Sequence, residues 1–325
     1  MWLIVFQPLA CASELSATDI AVIREMYHLW SSRADDIWAN AGKTRIPVVY
    51  VKDNIEYAIG FPEPIEGFGP VISESGLSLQ ARPRTFATDL SASFPVAGTP
   101  AVVLGSPELL KKAPEEWVII AAHEMFHVFQ AANGSMAKVA SLSIGSRSDP
   151  SWQLTFPFPY SDPEVMRLIH LQGYALWLAA NSKESEDAKY NAGTAVDAAA
   201  VYRAFLERLH DPKGYLYSEF QEWSEGVAKY TEYRFAECAA QADYMPADSF
   251  RALPGYTGYA DLWKRTYRNV PYLVKHAGRA ARDRNAFYHL GMGKALTLDK
   301  VSPDWKTRYF AAGVWLDDLL ASVKL

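Results

Sequence analysis

The sequence predicts an α+β protein: a small N-terminal mixed sheet and one strongly apolar helix, followed by a large all-helical half. Three observations carry this. Short β-rich runs punctuated by Pro and Gly fill residues 46–104. Residues 112–130 form one long apolar stretch with helix-opening chemistry at its start. Beyond residue 150 the apolar residues recur almost everywhere at helical spacing.

In chain order, residues 14–41 read as a helix. Leu15, Ile20, Ile23, Tyr27, Trp30, Ile37 and Trp38 recur near helical spacing, and Asn40 with Gly42 supplies a stop. Residues 46–51 form a β-rich run, Asp53-Asn54 a turn, and residues 56–61 the returning strand. Residues 62–70 are a Pro- and Gly-rich loop, with further short strands at 77–81 and 101–104. Pro114 suits a first helical turn, and Glu115 and Glu116 suit the positive end of the 112–130 helix. Asn133-Gly134 ends it, and the Ser- and Gly-rich residues 134–150 read as a loop or linker. Helices are expected at about 161–181, 185–210, 217–242, 259–288 with a break point at Gly278, and 303–323. The organisation is thus an α+β part over residues 13–134 and a helical part over 135–325.

The 325 residues are 50% apolar and 21% charged, which is globular composition and excludes a disordered or collagen-like chain. With 32 basic and 37 acidic residues the net charge is −5, without the basic field a general nucleic-acid binder needs. No stretch reaches the roughly 20 apolar residues of a membrane span. Two cysteines, Cys11 and Cys238, make no disulfide scaffold. The opening run Trp2-Leu3-Ile4-Val5-Phe6, followed by Ala10-Cys11-Ala12-Ser13, reads as a truncated-looking secretory signal over residues 1–12. It points to export to a periplasmic or secreted location. A cytoplasmic chain with a buried terminal segment is the alternative, and Pro8 fits a lipoprotein box poorly. Cys238, in an alanine-rich aromatic helix, reads as a small core residue.

Chemistry concentrates in His123-Glu124-Met125-Phe126-His127, an H-E-x-x-H motif inside the apolar helix. Residues four apart share a helical face, so both imidazoles can reach one ion. Zinc accepts imidazole nitrogen readily, and its catalytic sites take three protein ligands. Glu124 projects about 100° further round the helix, where it can reach a water without ligating the metal. Two histidines and a glutamate in an apolar helix would be costly without a partner, and Zn2+ is the expected one. The continuation H-x-x-G-x-x-H of the metzincins is absent, because Gln130 and Asn133 stand at the matching positions.

Downstream, Trp223-Ser224-Glu225-Gly226-Val227-Ala228-Lys229-Tyr230-Thr231-Glu232 resembles the W-x-E-G-x-A-x-Y-x-E helix of the gluzincin metallopeptidases. The resemblance implies a zincin-like fold, with His123, His127 and Glu225 as zinc ligands and Glu124 as general base. It also implies that Gly226 and Ala228 let the two motif helices approach closely. His127 and Glu225 are separated by 98 residues (225 − 127), far more than in the M1 and thermolysin families, and the Gly-rich exopeptidase motif of M1 enzymes is absent. The resemblance therefore covers two short motifs and the general layout.

In zincins an edge strand above the active-site helix pairs with the substrate backbone. Residues 101–104 stand in the corresponding order, either in that role or as a plain sheet strand. Glu232, seven residues after Glu225, either orients a ligand histidine or is a surface carboxylate. His170 is a third-ligand candidate, a group that orients a ligand from behind, or a satisfied core residue. Tyr230, Tyr233 and Tyr160 are candidates for oxyanion stabilisation or cleft lining, with packing as the plainer role for Tyr160. The resemblance points to a zinc-dependent hydrolase acting on peptide or protein substrates. The alternative is a non-catalytic protein that keeps the metal for structure or partner binding. Nothing in the chain fixes an oligomeric state.

Overall fold

A computed structural model describes residues 15–145, 151–279 and 282–323. The signal-like segment and Cys11 lie outside the described residues. The elements in chain order are α1 (Ala17–Ile37), β1 (Val48–Lys52), β2 (Ile55–Ile59), β3 (Ile72–Glu74), β4 (Leu77–Pro83), β5 (Ser91–Val96), β6 (Thr99–Gly105), α2 (Pro107–Leu110), α3 (Pro114–Ala132), α4 (Ser135–Ser141), α5 (Trp152–Thr155), α6 (Pro163–Asn181), α7 (Ser185–Leu209), α8 (Lys213–Gln221), a π-helical turn (Glu222–Gly226), α9 (Val227–Ala239), α10 (Asp248–Arg251), α11 (Tyr259–Arg265), α12 (Pro271–Lys275), α13 (Asn285–Val301), α14 (Lys306–Tyr309) and α15 (Leu316–Ala321). The chain is a mixed α+β protein. Two compact units are present, Met1–Val128 with Ala242–Gly258, and Phe129–Gln241 with Tyr259–Leu325. No helix among the described residues is long and apolar enough to cross a membrane.

The first unit is built on a six-stranded sheet of order β3-β4-β2-β1-β6-β5. Only β1 and β6 run parallel; the other pairs are antiparallel. Asp53, in the left-handed region, closes the β1–β2 hairpin, and Ala97-Gly98, both at positive φ, closes β5–β6. Both faces of the centre are buried. Val49, Val51, Ala101 and Val103 pack with Phe61 and Ile65 on one side. On the other, Tyr50 meets the Trp117 ring edge-on and Trp117 Nε1 donates to Gly105 O at 2.7 Å, which seats the first turns of α3. Ser16 and Asp19 form a capping box that starts α1, and Tyr50 Oη donates to the buried Asp19 at 2.6 Å.

The structure corrects four expectations here. Residues 101–104 are fully buried in β6, which has β1 on one side and β5 on the other, so this strand offers no edge to a substrate. The edge is β5, whose Ser-, Ala- and Pro-containing sequence gave no strand signal. Residues 135–141, expected to be loop, form α4. The helix expected at 259–288 breaks at Gly278 as anticipated, but the part before it is further divided into α11, a 3-10 turn and α12. Residues 303–323, expected to be one helix, form only the two short helices α14 and α15.

The second unit is helical, with α13 at its centre. Leu290, Met292, Ala295 and Leu298 are all fully buried. Glycines set the approach of its neighbours. A Cβ on Gly293 would lie 2.4 Å from Val274 Cγ1 of α12, and one on Gly173 of α6 would lie 2.3 Å from Val274 O. Lys294 of α13, almost wholly buried, is ion-paired with Glu219 of α8, Glu222 of the π turn and Asp317 of α15. Burial pushes the Glu219 and Glu222 carboxyls up. Burial alone would lower Lys294, but Asp317, Glu222 and Glu219 together hold it well above the usual range. Cys238 is half-buried on α9.

His289, also on α13, gives a pH signature. Burial first, then the charge of Lys229, depresses its imidazole to about 4 against the opposing pull of Asp283. Among the described residues its Nδ1 has no hydrogen-bond partner. The unfolded chain takes up this proton near pH 6.5, whereas the native state refuses it until about 4. The unfolded state therefore binds more protons in that window, and stability falls as pH drops through it, by about 2–3 kcal/mol. Urea unfolding between pH 7 and 4.5, with a chelator present, should show this loss, and His289→Leu should lack it. Parallel pH dependences in both proteins would exclude His289 as the source.

Candidate metal centre

His123, Glu124 and His127 lie on α3 as the spacing requires. The two imidazole rings are 5.0 Å apart in an edge-on arrangement. His123 and Glu124 are each 8% exposed, so the motif is largely buried in an apolar helix. The Ser91 hydroxyl of β5 donates to Glu124 Oε1 at 3.2 Å, fixing one carboxylate oxygen against the edge strand. Ser91 shares a sheet face with Leu104 and Tyr50, the face on which Trp117 of α3 packs.

Glu225 sits within the π turn, four residues after Gln221. A π turn shifts the hydrogen-bond ladder by one residue and leaves carbonyls to be satisfied elsewhere. Gln130, in the last turn of α3, does part of this. Its Nε2 donates to Ser224 O at 3.2 Å and lies 3.4 Å from Trp223 O, while 2.7 Å from Tyr309 Oη. The residue that excludes the metzincin pattern thus ties the end of the motif helix to the backbone just before Glu225. Trp223 is locked in turn. Its ring stacks on Tyr309 at 4.9 Å, its Nε1 donates to Tyr309 O, and the Lys138 ammonium lies 4.4 Å over its face.

His123, His127 and Glu225 form the group able to hold a metal ion among the described residues: one potential ligand atom from each lies within 4.8 Å of the others. Two imidazoles and a carboxylate are a donor set suited to zinc. The donor chemistry therefore fits the ion that the sequence implies.

Gly226 has a different partner from the one expected. A Cβ there would lie 2.5 Å from Gly291 Cα, and one on Gly291 would lie 2.2 Å from Glu222 O. The glycine pair lets α13 press on the π turn; the small residue serves that contact.

The other candidates are placed as follows. Glu232 is buried, not a surface carboxylate, and accepts from Lys229 Nζ at 2.6 Å and Tyr267 Oη at 2.8 Å. His170 stacks against His276 at 6.5 Å on the α6–α12 side and is not part of the ligand group. Burial, then Arg279, lowers its imidazole below the usual range. Tyr230 Oη donates to Asp299 at 2.7 Å, and Tyr233 packs on Trp263 at 5.1 Å. Burial raises both phenols, Tyr233 to about 12. Tyr160 packs against Phe158 and Phe287, its hydroxyl 3.4 Å from Tyr217 Oη. Arg284 gave no sequence signal, yet its Nη1 lies 3.5 Å from Glu225 Oε1.

Comparison of the chain with known protein families, characterised proteins and solved structures finds no match.

Proposed function

We propose that the protein is a zinc-dependent hydrolase of the gluzincin type, acting on peptide bonds with Glu124 as general base. The observation that carries this reading is the grouping of His123, His127 and Glu225, next to a buried carboxylate that is not part of the ligand group. A bound zinc ion supplies Lewis-acid polarisation of a carbonyl and eases deprotonation of water. Glu124, held by Ser91, accepts that proton and returns it to the departing amine. His123 and His127 serve as neutral donors, and Glu225 contributes the anionic one.

An extended substrate would lie along β5. Gly105 N donates to Leu90 O, so Leu90, Ala92, Phe94 and Val96 turn their backbone groups to β6. Antiparallel alternation then turns those of Ser91 and Ser93, and the carbonyl of Pro95, to the open edge. The strand that offers these groups is the one whose Ser91 holds the base. A purely structural metal site is disfavoured, because such sites usually close with four protein ligands and need no base.

Elemental analysis of the purified protein should find about one zinc per chain, lost in the His123→Ala, His127→Ala double variant. Glu225→Ala should weaken zinc binding strongly. Glu232→Ala should cost less, because its carboxylate is held by Lys229 and Tyr267 and is not in the ligand group. Equal metal content in wild type and double variant rejects the centre. A reversed order for Glu225 and Glu232 rejects the third ligand.

A further inference from the structure

We infer that Arg284 is a carboxylate-binding residue beside the metal centre, so that the substrate is a peptide carrying a carboxylate close to the bond attacked; this rests on the hydrolase reading above. Arg284 stands just before α13 with its side chain 29% exposed. Both of its recorded polar contacts use one nitrogen and are long: Nη1 to Glu225 Oε1 at 3.5 Å and Nη1 to Gln221 Oε1 at 3.5 Å. Among the described residues, Nε and Nη2 make no hydrogen bond. That edge of the guanidinium is a planar pair of donors matched to the two oxygens of a carboxylate.

The orientation is held from several sides. Gln221, fully buried, is one helical turn before Glu225, so the two oxygens that meet Nη1 come from one helix face. The Tyr288 ring centroid lies 5.4 Å from Cζ. The charge of Arg284 also reaches the phenols of Tyr160 and Tyr217. The guanidinium is therefore held at Nη1, and its Nε–Nη2 edge makes no hydrogen bond among the described residues.

Charge balance points the same way. Without a divalent ion, Glu225 and Arg284 neutralise each other. With one bound by Glu225, positive charge predominates around this carboxylate, and Arg284 loses much of its partner. An anionic group on the substrate restores the balance while Arg284 keeps its place. An extended chain advances about 3.3–3.6 Å per residue, so a carboxylate on Nε and Nη2 belongs to a residue adjacent to the carbonyl presented at the ligand group. The chemistry is met by a C-terminal carboxylate or by an aspartate or glutamate side chain.

The test uses the full-length, zinc-loaded Glu124→Gln protein, which should bind peptides without turning them over. It is immobilised and exposed to N-acetylated tetrapeptides randomised at the last two positions, as free acids and as C-terminal amides, and retained peptides are identified by mass. Free acids, or amides with Asp or Glu near the end, should be retained at least about tenfold over neutral amides, the scale of a charge-assisted pair. The first pattern identifies a terminal carboxylate and the second a side-chain one. Arg284→Gln should abolish the preference while keeping the metal, and Arg284→Lys should keep part of it. Equal retention of acids and neutral amides, no retention of either, or an unchanged preference in Arg284→Gln overturns the inference. Absence of zinc from the wild-type protein overturns the hydrolase reading itself, and this inference with it.

Discussion

The Glu124→Gln protein is expected to keep its zinc and its fold while losing at least about a hundredfold in turnover, the usual scale of a lost general base. Glutamine preserves the shape of a side chain that is 8% exposed, and its amide oxygen can still accept from Ser91. What disappears is the capacity to take a proton. His123 and His127 are untouched, so metal content is the internal control. The measurement is hydrolysis of a peptide library by equal, zinc-matched amounts of both proteins. Retention of even a third of wild-type turnover would mean that another group activates the water. Glu124→Ala is a poorer probe, because it removes the Ser91 contact at 3.2 Å as well as the charge.

The second large effect concerns α13. Helix propensity alone favours alanine over glycine by about 1 kcal/mol in a helix interior. At Gly291 the new Cβ would sit 2.2 Å from the Glu222 carbonyl oxygen. That atom is backbone and cannot rotate away, so the helix or the π turn must move. Overpacking of this kind costs more than the propensity gain, and a net loss of about 2 kcal/mol is expected for Gly291→Ala. Because Glu222 opens the turn that holds Glu225, zinc affinity should fall too. Gly214→Ala is the matched comparison: it lies in α8, and its added Cβ would meet nothing closer than 3.9 Å. That variant should be neutral or slightly stabilised and bind zinc normally. Urea midpoints and competition with a chelator read both properties. Wild-type values for Gly291→Ala would mean that α13 can retreat without disturbing the turn.

Legibility in the sequence followed the range of the interactions involved. The motif helix was readable because Pro114, Glu115, Glu116 and the apolar run act within a few residues. The β1–β2 hairpin was readable through Asp53-Asn54. β3 and β5 were not, since neither is a continuous β-branched run and each is held by its neighbour in the sheet. The helix expected at 259–288 breaks at Gly278 as its sequence indicated, at φ +74° and with Met166 O 2.4 Å from where a Cβ would be, but Pro271 also starts a separate helix that gave no such signal. At the centre, the histidine pair is a local pattern. Gln130 and Arg284 are not, because their contacts reach 94 and 63 residues along the chain, at Ser224 and Gln221.

The return of residues 242–258 to the first unit has a consequence for how the protein is made. Glu25, buried in α1, is hydrogen-bonded by Tyr244 Oη at 2.6 Å and by Ala247 N at 3.2 Å. Glu115, at the start of α3, accepts from Thr257 Oγ1 at 2.7 Å. On a ribosome adding about 5–20 residues per second, the 219 residues from Glu25 to Tyr244 (244 − 25) take roughly 10–40 s to add. Through that interval two carboxylates destined for the interior must stay hydrated, so the sheet and its helices wait, incompletely sealed, for a segment that arrives only after more than a hundred residues of the helical unit have been translated. The first unit, begun at the start of synthesis, is completed only when residue 258 has been made.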